Sequence, residues 1–267
     1  MNAKIVSKKN SHTNVATTEK VWRAGCLKNA DFVAILKDCA KRRDLTRGRK
    51  IHEHILKEGL VHKDIYIGSS LISLYVKCDK ISKAQEVFDE LPIRNVVSWT
   101  ALITGYGQQG EVENVLQLFD RMRRDGKKPN SITFLSVLNA CSHAGLVDKG
   151  QEYFRIMVEA YGLNPSLEHH TCLIDLLGRS GQLYKAVEIM KKTMTCPHIE
   201  MWLTILGACR KWGDVELGRK VIQMDEHEVS AYICMNNIYV DAGMHEDANK
   251  IDEMRVKKCI KEDLTVD

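Results

Sequence analysis

A helical hairpin that returns about every 34 residues constrains this chain more than any other feature. In residues 96–130, VVSWTALITGYGQQGEVENVLQLFDRMRRDGKKPN, apolar side chains recur at steps of three and four, the spacing of one helix face. Trp99, Leu102, Ile103 and Tyr106 form a first stripe; Val115, Leu116, Leu118, Phe119 and Met122 form a second. Gly110 separates the two, and Gly-Lys-Lys-Pro-Asn closes the unit with turn formers.

Aligning the turn between the stripes gives Arg43, Asp79, Gly110, Gly145, Gly181, Gly213 and Gly243, spaced 36, 31, 35, 36, 32 and 30 residues apart. Shortly after each turn comes a small residue: Gly48, Ala84, Gly150, Ala186, Gly218 or Ala248, with Val115 the exception. The expectation is that it lets the two helices of a hairpin approach closely. Four residues on stand Phe88, Phe119, Phe154, Met190 and Ile222, placed to fill the core between hairpins. One hairpin of this length cannot bury its own apolar face, so successive hairpins must stack. The predicted fold is all-α, a right-handed α-solenoid whose concave surface is lined by one helix of each pair. Pro92, Pro129, Pro165 and Pro197 all fall at unit ends, never inside a helical pattern where they would break it.

No apolar run approaches eighteen residues, so no membrane-spanning helix is expected. The formal charge of +4 is uneven: residues 1–50 carry about +9 and residues 199–267 about −5. The basic end is compatible with a polyanion; the acidic end suits something other than phosphate. Of nine cysteines none forms a C-x-x-C pair, which argues against a zinc ribbon or a redox pair. Cys39, Cys141 and Cys209 occupy one repeat position, in ILKDCA, VLNACS and ILGACR, and read as buried thiols in a reducing compartment. The first 25 residues are rich in Lys, Ser and Thr with Glu19 as their one acid. That bias is shared by organelle transit peptides and by disordered remnants alike.

Catalytic signatures are weak. Gly105-Tyr-Gly107-Gln-Gln-Gly110 matches G-x-G-x-x-G, but a dinucleotide fold needs VVSWTALIT to be a strand, and the repeat phase makes it a helix. His52-Glu53-His54 places two histidines two apart, pointing different ways on a helix, without a third ligand at suitable spacing. Both it and His169-His170 are expected on helix surfaces. The H-x-E and P-C-x-x-C signature of zinc deaminases does not occur, nor does any nucleophile–base pair or acidic dyad. The chain is read as a non-enzyme with no cofactor and no metal site.

Period alone does not separate solenoid families, since tetratricopeptide repeats have a similar one and bind peptides. NVVSWTALITGYGQQGEVENVLQLFDRMRRDGKKPN resembles a pentatricopeptide repeat. DFVAILKDCAKRRDLTRGRKIHEHILKEG resembles the long type of unit, and IYIGSSLISLYVKCDKISKAQEVFDELPIRN the short type, of the plant subclass associated with organellar RNA editing. SITFLSVLNACSHAGLVDKGQEYF and HHTCLIDLLGRSGQLYKAVEIM resemble the last long and short units of such an array. MWLTILGACRKWGDVELGRK and AYICMNNIYVDAGMHEDANKI resemble the two degenerate repeats of the extension that follows it. Departures are Arg43 in place of the usual Gly, and RKVIQMDEHEVSAY, about one helical turn shorter than usual.

The resemblance implies a basic segment at 1–28, a repeat array at 29–198 with units 29–64, 65–95, 96–130, 131–166 and 167–198, and an extension at 199–267. It further implies a sequence-selective single-stranded RNA-binding protein of mitochondrion or chloroplast, the mitochondrion ahead. Such a protein would serve editing or another processing step, with a deaminase or other protein recruited in trans through the extension. The alternative is a peptide-binding scaffold of tetratricopeptide type. By the same resemblance the fifth and last residues of each unit read a base, and the second packs against it. These are Ser69, Asn95 and Tyr66 in one unit, and Thr100, Asn130 and Val97 in the next. Hydroxyl and amide can tell adenine from guanine, and the family's pairing implies two adjacent adenines. Asn95 and Asn130 also suit helix N-caps. Thr171 with His198 is the corresponding pair of the last short unit, without an assigned preference. Val33 and Leu135 occupy the fifth position of the long units, where they read as spacers.

Overall fold

The computed structural model describes residues 28–193, 199–223 and 229–263. Among them the chain is helical, without strands, in fourteen helices. They are α1 (Asn29–Arg42), α2 (Leu45–Lys57), α3 (Ile65–Lys77), α4 (Ile81–Glu90), α5 (Val96–Gln108), α6 (Val112–Arg124) and α7 (Ser131–Ala144), then α8 (Val147–Glu159), α9 (Leu167–Arg179), α10 (Leu183–Thr193), α11 (Ile199–Trp212), α12 (Val215–Ile222), α13 (Val229–Asp241) and α14 (His245–Asp263). They form two compact units, residues 1–102 and 103–267. VVSWTALIT lies in α5, a helix, which removes the dinucleotide-binding alternative.

Every aligned turn residue has positive φ: Arg43 55°, Asp79 57°, and the five glycines from 67° to 79°. That left-handed residue lets the next backbone N–H reach back to the carbonyl of the closing helix, the Schellman bond. The bond recurs at 2.8–3.0 Å from Asp44 to Cys39, Lys80 to Tyr75, Glu111 to Tyr106, Leu146 to Cys141, Gln182 to Leu177, Asp214 to Cys209 and Met244 to Tyr239. Arg43 and Asp79 hold this conformation without glycine's freedom. A second set of left-handed glycines, Gly59, Gly126 and Gly162, ends α2, α6 and α8. After α4 the chain instead leaves extended at Leu91 into Pro92, so that unit is shorter.

Within the first unit α1 packs along α3; within the second, α7, α9, α11 and α13 pack each on the next. The first helices of the hairpins therefore form a layer, with the second helices wedged behind them. The small residue has a different use from the one expected. A Cβ at Gly48 would meet Leu74 of α3 at 2.4 Å, and one at Gly150 would meet Leu176 of α9 at 2.3 Å. Each cleft thus receives a leucine from the following hairpin, not mainly the partner helix. Val115 is fully buried, and opposite it stands Gly107, whose Cβ would lie 3.8 Å away. The size alternation is reversed there.

Phe88, Phe119 and Met190 are fully covered. Phe119 meets Phe134 and Tyr153 edge-on at 5.3 and 5.2 Å, the favoured aromatic geometry. Cys39, Cys141 and Cys209 are buried free thiols, as read from their repeat position. Burial pushes Cys39 and Cys141 up to about 11 and Cys209 up to about 12, so they stay protonated and unreactive.

The histidines correct the sequence reading. His52 is buried, with Nδ1 2.7 Å from the Tyr75 hydroxyl, while His54 packs beside Phe32. His169 and His170 are buried too. His169 Nδ1 accepts from the Ser166 backbone N–H at 3.2 Å, and its Nε2 lies 2.9 Å from the Ser131 carbonyl. Local periodicity ranked them polar; packing of the neighbouring hairpin covered them.

Phe119→Ala is expected to lower the unfolding free energy by about 3–5 kcal/mol, the range for a fully buried aromatic, measured by urea denaturation. Burial, followed by the Lys83 charge, holds His52 below its usual 6.5, and burial does the same to His170. The unfolded chain then binds protons that the folded chain refuses. Stability is complete above about 6.5 and falls as pH drops below it. A melting-temperature series between about pH 7.5 and 5 should show this loss, and His52→Gln should flatten part of the slope.

Candidate functional site on the first helices

The second, fifth, ninth and thirteenth residues of a unit are three or four apart, so each first helix carries them on one stripe. On α3 the stripe is Tyr66, Ser69, Ser73 and Lys77. Asp64 caps this helix, its carboxylate accepting from Tyr66 N at 2.8 Å. Tyr66 is 67% exposed on the first turn, and Val97 on α5 is 56% exposed. Ile132, at the same position of α7, is 60% exposed and was not picked out from the sequence; its place after the Asn130 turn was the available signal. A bare apolar side chain at the start of a first helix offers a flat wall to a planar ligand.

The fifth and last residues of the unit 65–95 come together. The single proton of Ser69 Oγ is shared between the Ile65 carbonyl at 2.7 Å and Asn95 Oδ1 at 3.1 Å. Asn95 Oδ1 also accepts from Ser98 N at 2.8 Å, as the N-cap of α5. Because a backbone N–H demands an acceptor, the cap decides which way the amide points. Oδ1 faces inward with two donors, and Nδ2 is left as a donor without a partner among the described residues.

Asn130 repeats the arrangement at α7. Its Oδ1 accepts from Thr133 N and from Thr133 Oγ1, both at 2.9 Å, and Thr133 Oγ1 accepts in return from Asn130 N at 3.2 Å. This capping box again leaves the amide nitrogen without a partner among the described residues. Asn95 and Asn130 are half-buried, whereas Ser69 and Thr100 are 4% and 7% exposed. The hydroxyls are therefore less open than the sequence reading required. Ser69 restricts the Asn95 amide, whose nitrogen keeps its donors among the described residues. Such an N–H suits an acceptor on a base edge: N1 of adenine accepts, whereas N1–H of guanine donates.

Thr171 Oγ1 is tied back to the Leu167 carbonyl at 3.0 Å. His198, its expected companion, lies outside the described residues. Val33 and Leu135 are half-buried, with no polar group to offer.

The thirteenth position carries charge that the sequence reading passed over. In the first unit Lys41 and Lys77 stand exposed there; in the second α5 has Gln108, α7 has His143, α9 has Arg179 paired with Asp175 at 2.8 Å, and α11 has the exposed Lys211. Equal spacing from the turn residue was the signal. On α13 the position changes sign, with Asp241 held by Arg210 at 2.6 Å. Inside each unit, an exposed lysine and an exposed apolar side chain on the first helices suit planar groups joined by phosphates.

Cap and reading group can be separated by substitution. Asn130→Ala should lower stability by about 1 kcal/mol, while Asn130→Asp, an equally good cap, should leave it nearly unchanged; thermal denaturation of the two variants decides.

Comparisons with known proteins agree with the repeat fold. A model of the PPR repeat family matches residues 94–143, and one of the PPR repeat matches 69–96, 132–161 and 168–195. A pentatricopeptide repeat-containing protein of Arabidopsis thaliana is 37% identical over 236 residues, 87% of this chain and 47% of that protein. A mitochondrial one from the same plant is 39% identical over 208 residues, 76% of this chain and 31% of that protein. The chain thus spans less than half the length of these curated relatives. Among solved structures, the pentatricopeptide repeat protein PPR10 in complex with an 18-nucleotide psaJ RNA element gives a TM-score of 0.75. That likeness covers 92% of this chain and 38% of the other at 18% identity, so it bears on the fold alone.

Proposed function

The chain belongs to the pentatricopeptide repeat family, and on that premise we propose that it is a sequence-selective single-stranded RNA-binding protein. One observation carries the reading. The N-caps of α5 and α7 engage the amide oxygens of Asn95 and Asn130 with backbone N–H groups, which keeps their nitrogens as donors for a ligand. Tyr66, Val97 and Ile132 supply walls for the bases, and the exposed cations at the helix ends meet phosphate. PPR10, a protein of the same fold, is solved with RNA bound.

The role is that of a specificity factor in organellar RNA editing or another RNA-processing step. The extended exit after α4, where units 29–64, 96–130 and 131–166 each have a second left-handed glycine, supports a short unit at 65–95 among longer ones. On this reading residues 29–198 form the array, and 199–267 an extension that recruits a deaminase or other enzyme in trans. The chain itself supplies affinity and choice of site, not chemistry. Relatives named mitochondrial and chloroplastic support an organelle.

Binding to short adenine-rich single strands should weaken steeply between about 50 and 200 mM salt, because phosphate contacts release counterions. A peptide-binding scaffold would show little change. Asn130→Asp should shift preference at one nucleotide from adenine toward guanine by roughly tenfold, the scale of one base-edge contact. Competition between oligonucleotides differing at single positions measures this. Unchanged preference would remove Asn130 from the reading set.

A further inference from the structure

The helices α2, α6 and α8 each end at a left-handed glycine, after which a backbone N–H returns to the helix. Leu60 donates to the Ile55 carbonyl at 3.0 Å, Lys127 to Met122 at 3.0 Å and Leu163 to Met157 at 3.1 Å. α4 has no such residue. Its chain leaves extended at Leu91, whose N–H donates to the Phe88 carbonyl at 3.3 Å. The last-turn carbonyls of α4 therefore need a further donor, and Arg94 supplies it. Its Nε donates to the Phe88 carbonyl and its Nη2 to the Asp89 carbonyl, both at 3.0 Å.

Packing holds the same side chain. The Arg94 guanidinium carbon lies 5.0 Å from the centroid of the Phe88 ring. Phe88 in turn meets Trp99 of α5 edge-on at 4.6 Å, both rings fully covered. The other end of the exit is pinned by Leu91, which is buried and fills the space over Gly68 of α3, where a Cβ would meet it at 2.4 Å. Between these two clamps Pro92 and Ile93 stand exposed. Asn95 follows directly on Arg94, and Ser69, the chain neighbour of Gly68, meets its Oδ1 at 3.1 Å. Ser98 Oγ donates to the Asn95 carbonyl at 2.8 Å. The two clamps thus set where the Asn95 amide stands relative to α3.

We propose that Arg94 is a positioning residue of the unit 65–95: its forked bonds to the end of α4 stand in for the missing glycine turn and hold the Asn95 amide against Ser69, in the arrangement that selects a base. The inference rests on the RNA-binding reading above and adds to it a residue that touches no base. A guanidinium suits the task because its planar fork reaches two carbonyls at once. An amide ordered before the base arrives costs less to engage. Loss of the fork therefore weakens discrimination at one nucleotide and leaves the general attraction of the strand alone.

The test compares two neutral substitutions in the full chain, Arg94→Met and Arg94→Gln. The Gln amide nitrogen falls at the place of Arg94 Nε along the side chain and can keep the bond to Phe88, while Met has a similar length and no donor. Competition between oligonucleotides differing at single positions should show Arg94→Met losing adenine preference roughly tenfold at the nucleotide assigned to Asn95. Preference at the nucleotide assigned to Asn130 should stay, and Arg94→Gln should keep most of both. The salt dependence of both variants should match wild type. An arginine that met phosphate would instead cost affinity uniformly in both variants, with a log–log salt slope smaller by about one, and that result overturns the proposal. A merely structural arginine would lower the melting temperature and both preferences together, which overturns it too. A wild-type chain without preference at either nucleotide ends the RNA reading along with this one; unchanged preferences in Arg94→Met end this one alone.

Discussion

The hydrogen bond that closes each hairpin is the constraint on which the rest of the molecule hangs. A single residue in the left-handed region turns the chain, and the next N–H returns to a carbonyl of the helix just ended, at 2.8–3.0 Å in all seven turns. Without it the last-turn carbonyls would need other partners, and the second helix would leave at a different angle. Because the turn is the same each time, each hairpin presents nearly the same surfaces. Repetition of a local bond becomes repetition of packing.

Stacking depends on a second local feature, the missing or minimal side chain after each turn. Gly48 and Gly150 leave clefts that Leu74 and Leu176 enter from the following hairpin. The contact couples neighbours, so the core is continuous inside each unit. It also explains why first helices lie in a layer: the leucine can reach the cleft only when its own helix lies alongside.

The proposed reading groups show how a structural requirement and a binding one share an atom set. An uncapped helix start leaves backbone N–H groups without acceptors. Asn95 and Asn130 satisfy one each with Oδ1, which keeps the amide nitrogen as a donor. Ser69 adds a second bond to Asn95 and restricts its rotation. Order in the amide is set before any ligand arrives, which lowers the cost of binding. On the proposed reading, capping and base selection share one orientation.

Much of this was legible in one dimension. The turn positions, the helical faces, the buried cysteines and the absence of a strand at VVSWTALIT all follow from three-and-four periodicity and turn chemistry, which act within about ten residues. The histidines were misread for the same reason: His52 and His169 are polar in any local window, and it is Tyr75 and Ser131, on neighbouring hairpins, that enclose them. The recipient of each glycine cleft and the bond between Ser69 and Asn95 across 26 residues also waited for tertiary structure. Sequence by itself determined what each helix is and which way it turns, because those depend on bonds near in the chain. Only the packed structure decided what each face meets, because that depends on how far one hairpin slides against the next, and no local period records it.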